Sequence, residues 1–250
     1  MQPLINNLEL NKKVKYFSNL NIPTSIIKSK EAVLVYFVYE SPINEMIRNT
    51  MDLFIQTHLK FNDEIIIYIF TNQKIQHYDY AQNRVNVIFI DSLDDKIMEN
   101  RTIFIYSMMQ LFNKFNKLYF FDSDVIPLRP YNNLIDSKVD IGLSYHPGYL
   151  KEMKYPINGG FLVINNKNAN KINNFIKVYL NSYIHILNNE KLIKEKYQIK
   201  NSLRVWYGDQ LLFLLLGIKF PKLKKNFFKV DIDTEKFSVR LFNEYRYNNN

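Results

Sequence analysis

Three continuous apolar runs of strand length constrain this chain most: Ala32–Tyr39 (AVLVYFVY), Glu64–Phe70 (EIIIYIF) and Lys117–Phe121 (KLYFF). Runs that are apolar at nearly every position, without polar alternation, belong in a sheet covered on both faces, and that is the habit of parallel sheets. Between them lie segments of helical period. After Ser41-Pro42, the residues Ile43, Ile47, Met51, Phe54 and Ile55 recur at helical spacing over about 42–60, and a second helix is expected from about Asn100 to Asn113. With a further strand over Val85–Ile90, the order becomes β-α-β-β-α-β. It predicts an α/β domain with a mostly parallel central sheet flanked by helices. Val139–Ser144 and Phe161–Ile164 read as later strands, 168–195 as one long amphipathic helix, and Trp206–Gly217 as a buried helix. Residues 1–30 read as an N-terminal extension or peripheral helix, and the basic tail 219–250 shows no clear period. No repeat or interior boundary divides the chain, so residues 1–250 are expected to form a single domain.

Composition narrows the chemistry. The chain has no cysteine, which excludes disulfides, thiolate metal ligands and a cysteine nucleophile. A hydrophobic share of 47% is enough for a substantial core. The net charge of +9 fits partners that carry phosphate or an anionic surface. The lysines are spread out as a solvated coat, with a modest cluster at Lys222, Lys224 and Lys225. No helix-turn-helix, finger or RNP-like pattern accompanies them, so nucleic acid is not an expected partner. Lys12, Lys13 and Lys15 interrupt any signal-peptide pattern, and the apolar stretches, Leu211–Leu216 among them, are far below the ~20 residues of a membrane span. A soluble, cytoplasmic protein is the expectation. The abundance of Asn, Lys, Ile and Tyr suits an AT-rich microbial, protist or large DNA virus genome.

Asp122-Ser123-Asp124 ends the third run. Two carboxylates at a strand end suit a hard divalent cation, because Mg²⁺ and Mn²⁺ take oxygen ligands and need few carboxylates when phosphates complete the shell. The bland alternative is a solvated turn. Ligands on parallel sheets bind beyond the carboxyl ends of the strands. Tyr39, Glu40, Ser41, Thr71 and Asn72 stand at such ends, so they join the acidic pair as one expected site. Arg101 is a candidate for phosphate or ribose, or else a surface arginine. His146, in a Tyr-His-Pro-Gly-Tyr turn, is either a structural hydrogen-bonder or a contact to a sugar hydroxyl. Asn158-Gly159-Gly160 is either a turn before a strand or a place where missing side chains admit a ligand. Asp209 is either a helix cap or a carboxylate beside an aromatic wall formed by Trp206 and Tyr207, placed to act as a nucleophile or to stabilise an oxocarbenium-like centre.

In series, these segments resemble the nucleotide-sugar glycosyltransferases of the GT-A fold, and most closely the retaining family 6, over roughly residues 32–217. Phe70-Thr71-Asn72-Gln73 resembles a family strand end, and Asp122-Ser123-Asp124 its metal motif. His146-Pro147-Gly148-Tyr149 resembles its acceptor turn, and Gly159-Gly160-Phe161 its segment beside the donor sugar. In Trp206-Tyr207-Gly208-Asp209 the aspartate stands where the family has a catalytic glutamate. Asp209-Gln210 is also similar to a pair in family 8, and in that register Gln210 takes the catalytic place. The resemblance implies a single Rossmann-like GT-A domain that moves a hexose (galactose, N-acetylgalactosamine or glucose) from a UDP-sugar to a glycan hydroxyl. It implies retention and the use of Mn²⁺ or Mg²⁺. Asp122 and Asp124 would hold the metal. Tyr39, Glu40, Ser41, Thr71, Asn72, Arg101 and Ser123 would line the nucleotide, and His146, Asn158, Gly159, Gly160 and Trp206 the sugars. The rival readings are an inverting transferase, a donor hydrolase, and a non-catalytic glycan or nucleic-acid binder.

Overall fold

The computed structural model describes residues 8–23, 30–74, 84–91, 94–128, 130–131, 140–145, 157–204, 208, 212, 229–232 and 237–243. Its elements are α1 (Leu8–Ser18), β1 (Glu31–Phe37), α2 (Glu45–Phe61), β2 (Ile65–Thr71), β3 (Val85–Phe89), α3 (Ile97–Met109), β4 (Lys117–Phe121), β5 (Ile141–Tyr145), β6 (Ile157–Asn165), α4 (Ala169–Asn188), α5 (Glu190–Tyr197), β7 (Lys229–Ile232) and β8 (Phe237–Asn243). A 3₁₀ turn over Gln110–Lys114 links α3 to β4. The strands form one sheet in the order β3-β2-β1-β4-β6-β5-β8-β7. The β3-β2-β1-β4 half is parallel throughout. Beyond it β6 runs antiparallel to β4 and to β5, while β8 lies parallel to β5.

The apolar runs occupy both faces of that sheet. Ala32, Leu34, Ile66, Tyr68, Phe70, Leu118 and Phe120 pack into one core with residues of α1, α3 and α4. The intervening Val33, Val35, Ile67, Ile69, Tyr119 and Phe121 pack into a second core with Met51, Phe54 and Ile55 of α2. Each large side chain fully removed from water contributes roughly 1.5–3 kcal/mol, so neither face tolerates a polar strand position cheaply. The N-terminal segment, read as an extension or a peripheral helix, carries a helix whose inner face belongs to the core: Leu10 and Phe17 are buried.

Four local readings are corrected. The helix expected over about 42–60, α2, starts at Glu45, because the Asn44 side chain accepts from Ile47 N at 2.9 Å and caps it there. The helix expected over 168–195 is two helices, broken at Asn189 and closed by Gln198 in the left-handed region at φ 55°. Asn158-Gly159-Gly160 is not a turn but the opening of β6, and no described glycine has positive φ. The tail without a period supplies β7 and β8. The helix expected over 206–217 lies outside the described residues apart from Gly208 and Leu212, both helical.

In the parallel half, the chain moves outward from β1 to β2 and β3, then returns to the other side of β1 as β4. Such a reversal leaves a crevice at the carboxyl ends of the two central strands, the usual ligand position on open α/β sheets. Phe37 and Phe121 end those strands.

Candidate functional site

The rim of this crevice is built by side-chain amides at the end of β2. Asn72 Nδ2 donates to Tyr39 O at 2.8 Å, and Asn72 Oδ1 accepts from Tyr39 N at 3.2 Å. Gln73 Nε2 donates to Tyr39 O and Ser41 O, while its Oε1 accepts from Ile43 N. Thr71 is fully buried, and its hydroxyl accepts from Gln73 N at 2.9 Å. Together these bonds hold the loop after β1 as an extra strand edge would. Thr71 and Asn72 therefore shape the rim, whereas Glu40 and Ser41 are exposed on it and Tyr39 is half-buried. Gln73, absent from the expected site residues, carries as much of this scaffolding as Asn72. The signal for it was an amide pair directly after a buried strand.

The acidic residues stand one strand away. Asp122 N donates to Gly160 O at 2.9 Å, which extends the β4–β6 ladder by one residue. Val125 N donates to Asp122 O at 3.0 Å, closing a turn over 122–125. The turn leaves Asp124 exposed, and Asp122 and Ser123 half-buried. Arg101, in α3 and 6% exposed, reaches this turn from below. Its Nη2 lies 2.7 Å from Asp122 Oδ1 and donates to Gly159 O as well. Arg101 is thus no surface arginine: one guanidinium ties the first acidic residue to the glycine pair of β6. The structure brings Arg101, Asp122, Gly159 and Gly160 into direct contact. Tyr39–Ser41 and Asn72 meet on the same carboxyl edge.

The donor set is all oxygen, two carboxylates on one tight turn with a guanidinium against Oδ1 of the first. That chemistry fits a hard divalent cation, which Asp122 and Asp124 would hold. Among the described residues, another carboxylate group is close enough to share an ion: Glu9, Asp94 and Glu99. It does not fit a metal, because the Lys13 ammonium already touches all three carboxylates, 2.7 Å from Asp94, 2.6 Å from Glu99 and 4.0 Å from Glu9, and so fills the place an ion would take. Burial raises the Asp94 pKa, but hydrogen bonds from Lys13 and Asn100 outweigh it and hold the carboxyl below its ordinary value.

Beneath the acidic turn sits His58 of α2, fully buried against Phe54, Phe121 and Tyr131. Its Nδ1 shares a hydrogen bond of 2.6 Å with the Tyr131 hydroxyl. Burial pushes the imidazole pKa down to about 3, so the ring is neutral. The Val125 backbone opposes the shift, without a hydrogen bond of good geometry to Nε2. The side chain of Asn158 and all of His146, Trp206, Asp209 and Gln210 lie outside the described residues; the Asn158 backbone pairs with Ser144.

No protein-family model matches this chain. No curated protein sequence matches it either. Among solved structures it is similar to the glycosyltransferase GlyE of Streptococcus pneumoniae TIGR4, at 19% identity and a TM-score of 0.45, over 78% of this chain and 44% of that one. It is also similar to the galactosyltransferase LgtC in complex with donor and acceptor sugar analogs, at 14% identity and a TM-score of 0.39, over 73% and 69% of the two chains. A glycosyltransferase involved in glycosylation of the major capsid of PBCV-1 shares 11% identity at a TM-score of 0.37, over 64% and 68%. The chain spans under half the length of GlyE. Overlap at this level carries no argument about chemistry, which rests on the site itself.

Proposed function

We propose that the protein is a metal-dependent glycosyltransferase of the GT-A type that moves a hexose from a UDP-sugar to a glycan hydroxyl with retention. One observation carries the reading: a two-carboxylate turn at the switch point of a parallel sheet, gripped from below by a buried arginine. The sequence resemblance of 32–217 to family 6 supports it, and so does the loop 39–41 held at the crevice by Asn72 and Gln73. A divalent ion held by Asp122 and Asp124 would neutralise charge developing on the leaving diphosphate. Arg101 fixes the orientation of Asp122 and adds positive charge beside the diphosphate. Tyr39, Glu40 and Ser41 border the uracil and ribose. Gly159 and Gly160 open the backbone toward the donor sugar, with Asn158 beside them. His146 and Trp206 belong to the sugar contacts in this reading, and Asp209 or Gln210 lies under the anomeric carbon.

A donor screen with pooled glycan acceptors tests the proposal, with the anomeric configuration of the product read by NMR. Transfer from a UDP-hexose with retention is the expected result. An inverted product would reassign Asp209 as a general base, and donor consumption without an acceptor product would make the protein a hydrolase. Metal-independent glycan binding with no turnover would favour the non-catalytic binder.

A further inference from the structure

Glu99 is a carboxylate with no exposed surface, in the first turn of α3. Both of its oxygens face cations. Lys13 Nζ of α1 lies 2.6 Å from Oε1, and Arg204 Nη1 lies 2.8 Å from Oε2. The backbone joins the second pair again, because Glu99 N donates to Arg204 O at 2.9 Å. Lys13 is itself only 5% exposed, an uncommon position for an ammonium group. A buried ion chain is a costly way to join two helices, and well-packed apolar residues would often hold them equally well. Its best attested use is to impose one register.

The register imposed here concerns the segment before Asp209. Glu190 Oε1 accepts from Leu203 N at 2.8 Å and from Ser202 Oγ at 2.9 Å, so the 202–204 turn is held by Glu190 on one side and Glu99 on the other. Gly208 then closes tightly on that turn. A Cβ at Gly208 would run into the Leu203 carbonyl oxygen and lie 3.4 Å from the Tyr183 ring. The next residue is Asp209. Two residues along α3 from Glu99, Arg101 holds Asp122.

We propose that the Lys13–Glu99–Arg204 chain is a positioning device for the transfer site, which makes the N-terminal helix part of its scaffold. Glu99 fixes where the Leu203–Arg204 turn docks on α3, and with it Gly208, which precedes in sequence the Asp209-Gln210 pair that the transferase reading makes catalytic. This inference rests on the transferase reading above. Lys13 and Glu99 touch no substrate; they act through the turn they hold.

Full-length Lys13→Met and Lys13→Arg proteins test it. The folded Lys13→Met variant is expected to lose about tenfold or more in kcat at saturating donor, because small misplacements of a catalytic group are costly. Its Kd for UDP with Mn²⁺ stays within about twofold, since other contacts hold Arg101 and Asp122. Lys13→Arg restores most of kcat, and peptides spanning 199–212 exchange amide hydrogen faster in Lys13→Met alone. Wild-type kcat in folded Lys13→Met, an equal loss in Lys13→Arg, or a loss confined to UDP binding would overturn the proposal. If Lys13→Met does not fold, the double variant Lys13→Met/Glu99→Met removes both buried charges and is read in the same way. A wild-type protein that transfers no sugar would instead sink the transferase reading. Hydrogen exchange over 199–212 then still decides the inference: faster exchange in Lys13→Met retains the chain as the holder of that turn, and unchanged exchange rejects it.

Discussion

Asp124 is the exposed member of the acidic turn and Asp122 the anchored one, so their substitutions should differ. In the proposed site, Asp124→Asn removes one carboxylate charge from the metal at an exposed position. Transfer is expected to fall by about a hundredfold or more, with the melting temperature within a few degrees of wild type. Arg101→Met instead leaves the Gly159 carbonyl and the Asp122 carboxylate without their shared partner. It should cost about 1–3 kcal/mol in urea unfolding and weaken metal-dependent UDP binding about 10–100-fold. Wild-type metal affinity in that variant would show that Arg101 does not orient the site. His58 adds a pH dependence. Its pKa is near 6.5 when unfolded and about 3 when buried, so between those values only the unfolded chain takes up the proton. The contribution is complete above pH 6.5 and is lost as pH falls toward 3, by about 1.4 kcal/mol per unit. Urea unfolding at pH 7 and pH 5 should show this slope in wild type and not in His58→Phe; an unchanged slope in the variant would contradict it.

At the scale of elements, legibility followed burial. β1, β2 and β4 were readable because both faces are covered, which leaves an apolar run that few other structures produce. Helix ends were less readable, since a cap decides them: Asn44, not Pro42, starts α2. For the glycine pair a turn was one of two open readings, because glycine usually punctuates strands. Here it opens β6, where the Arg101 guanidinium meets the Gly159 carbonyl. β7 and β8 had no local signal, since they owe their state to pairing with each other and with β5. Lys13 lies among the scattered lysines read as a solvated coat, and Glu99 carries no local signal. Only tertiary contact identifies them as buried partners. Gly208 is a sharp test at this scale. Gly208→Ala would drive a methyl group into the Leu203 carbonyl, so the turn must shift. Activity should fall more than stability, as read by kcat against the urea midpoint, and retained kcat would place the catalytic group elsewhere.

At the scale of the whole molecule, the sheet order makes the site possible. Two parallel strands that leave their crossover connections on opposite sides open a crevice where the chain reverses, and the acidic turn stands on one lip with the amide-clamped loop on the other. No helix among the described residues is long and apolar enough to cross a membrane. In the transferase reading, the excess of positive charge would assist approach of an anionic donor, a rate effect that added salt should weaken. The expected acidic motif, the arginine and the glycine pair were legible as separate pieces, whereas their contact through one guanidinium was not. Isothermal titration of the protein with UDP, with and without Mn²⁺, tests the metal-bridged diphosphate most directly. Binding that weakens at least about tenfold when Mn²⁺ is withheld, and equally in Asp124→Asn with Mn²⁺ present, is the expected result. Absence of UDP binding under both conditions, or equal binding with and without the ion, would contradict it.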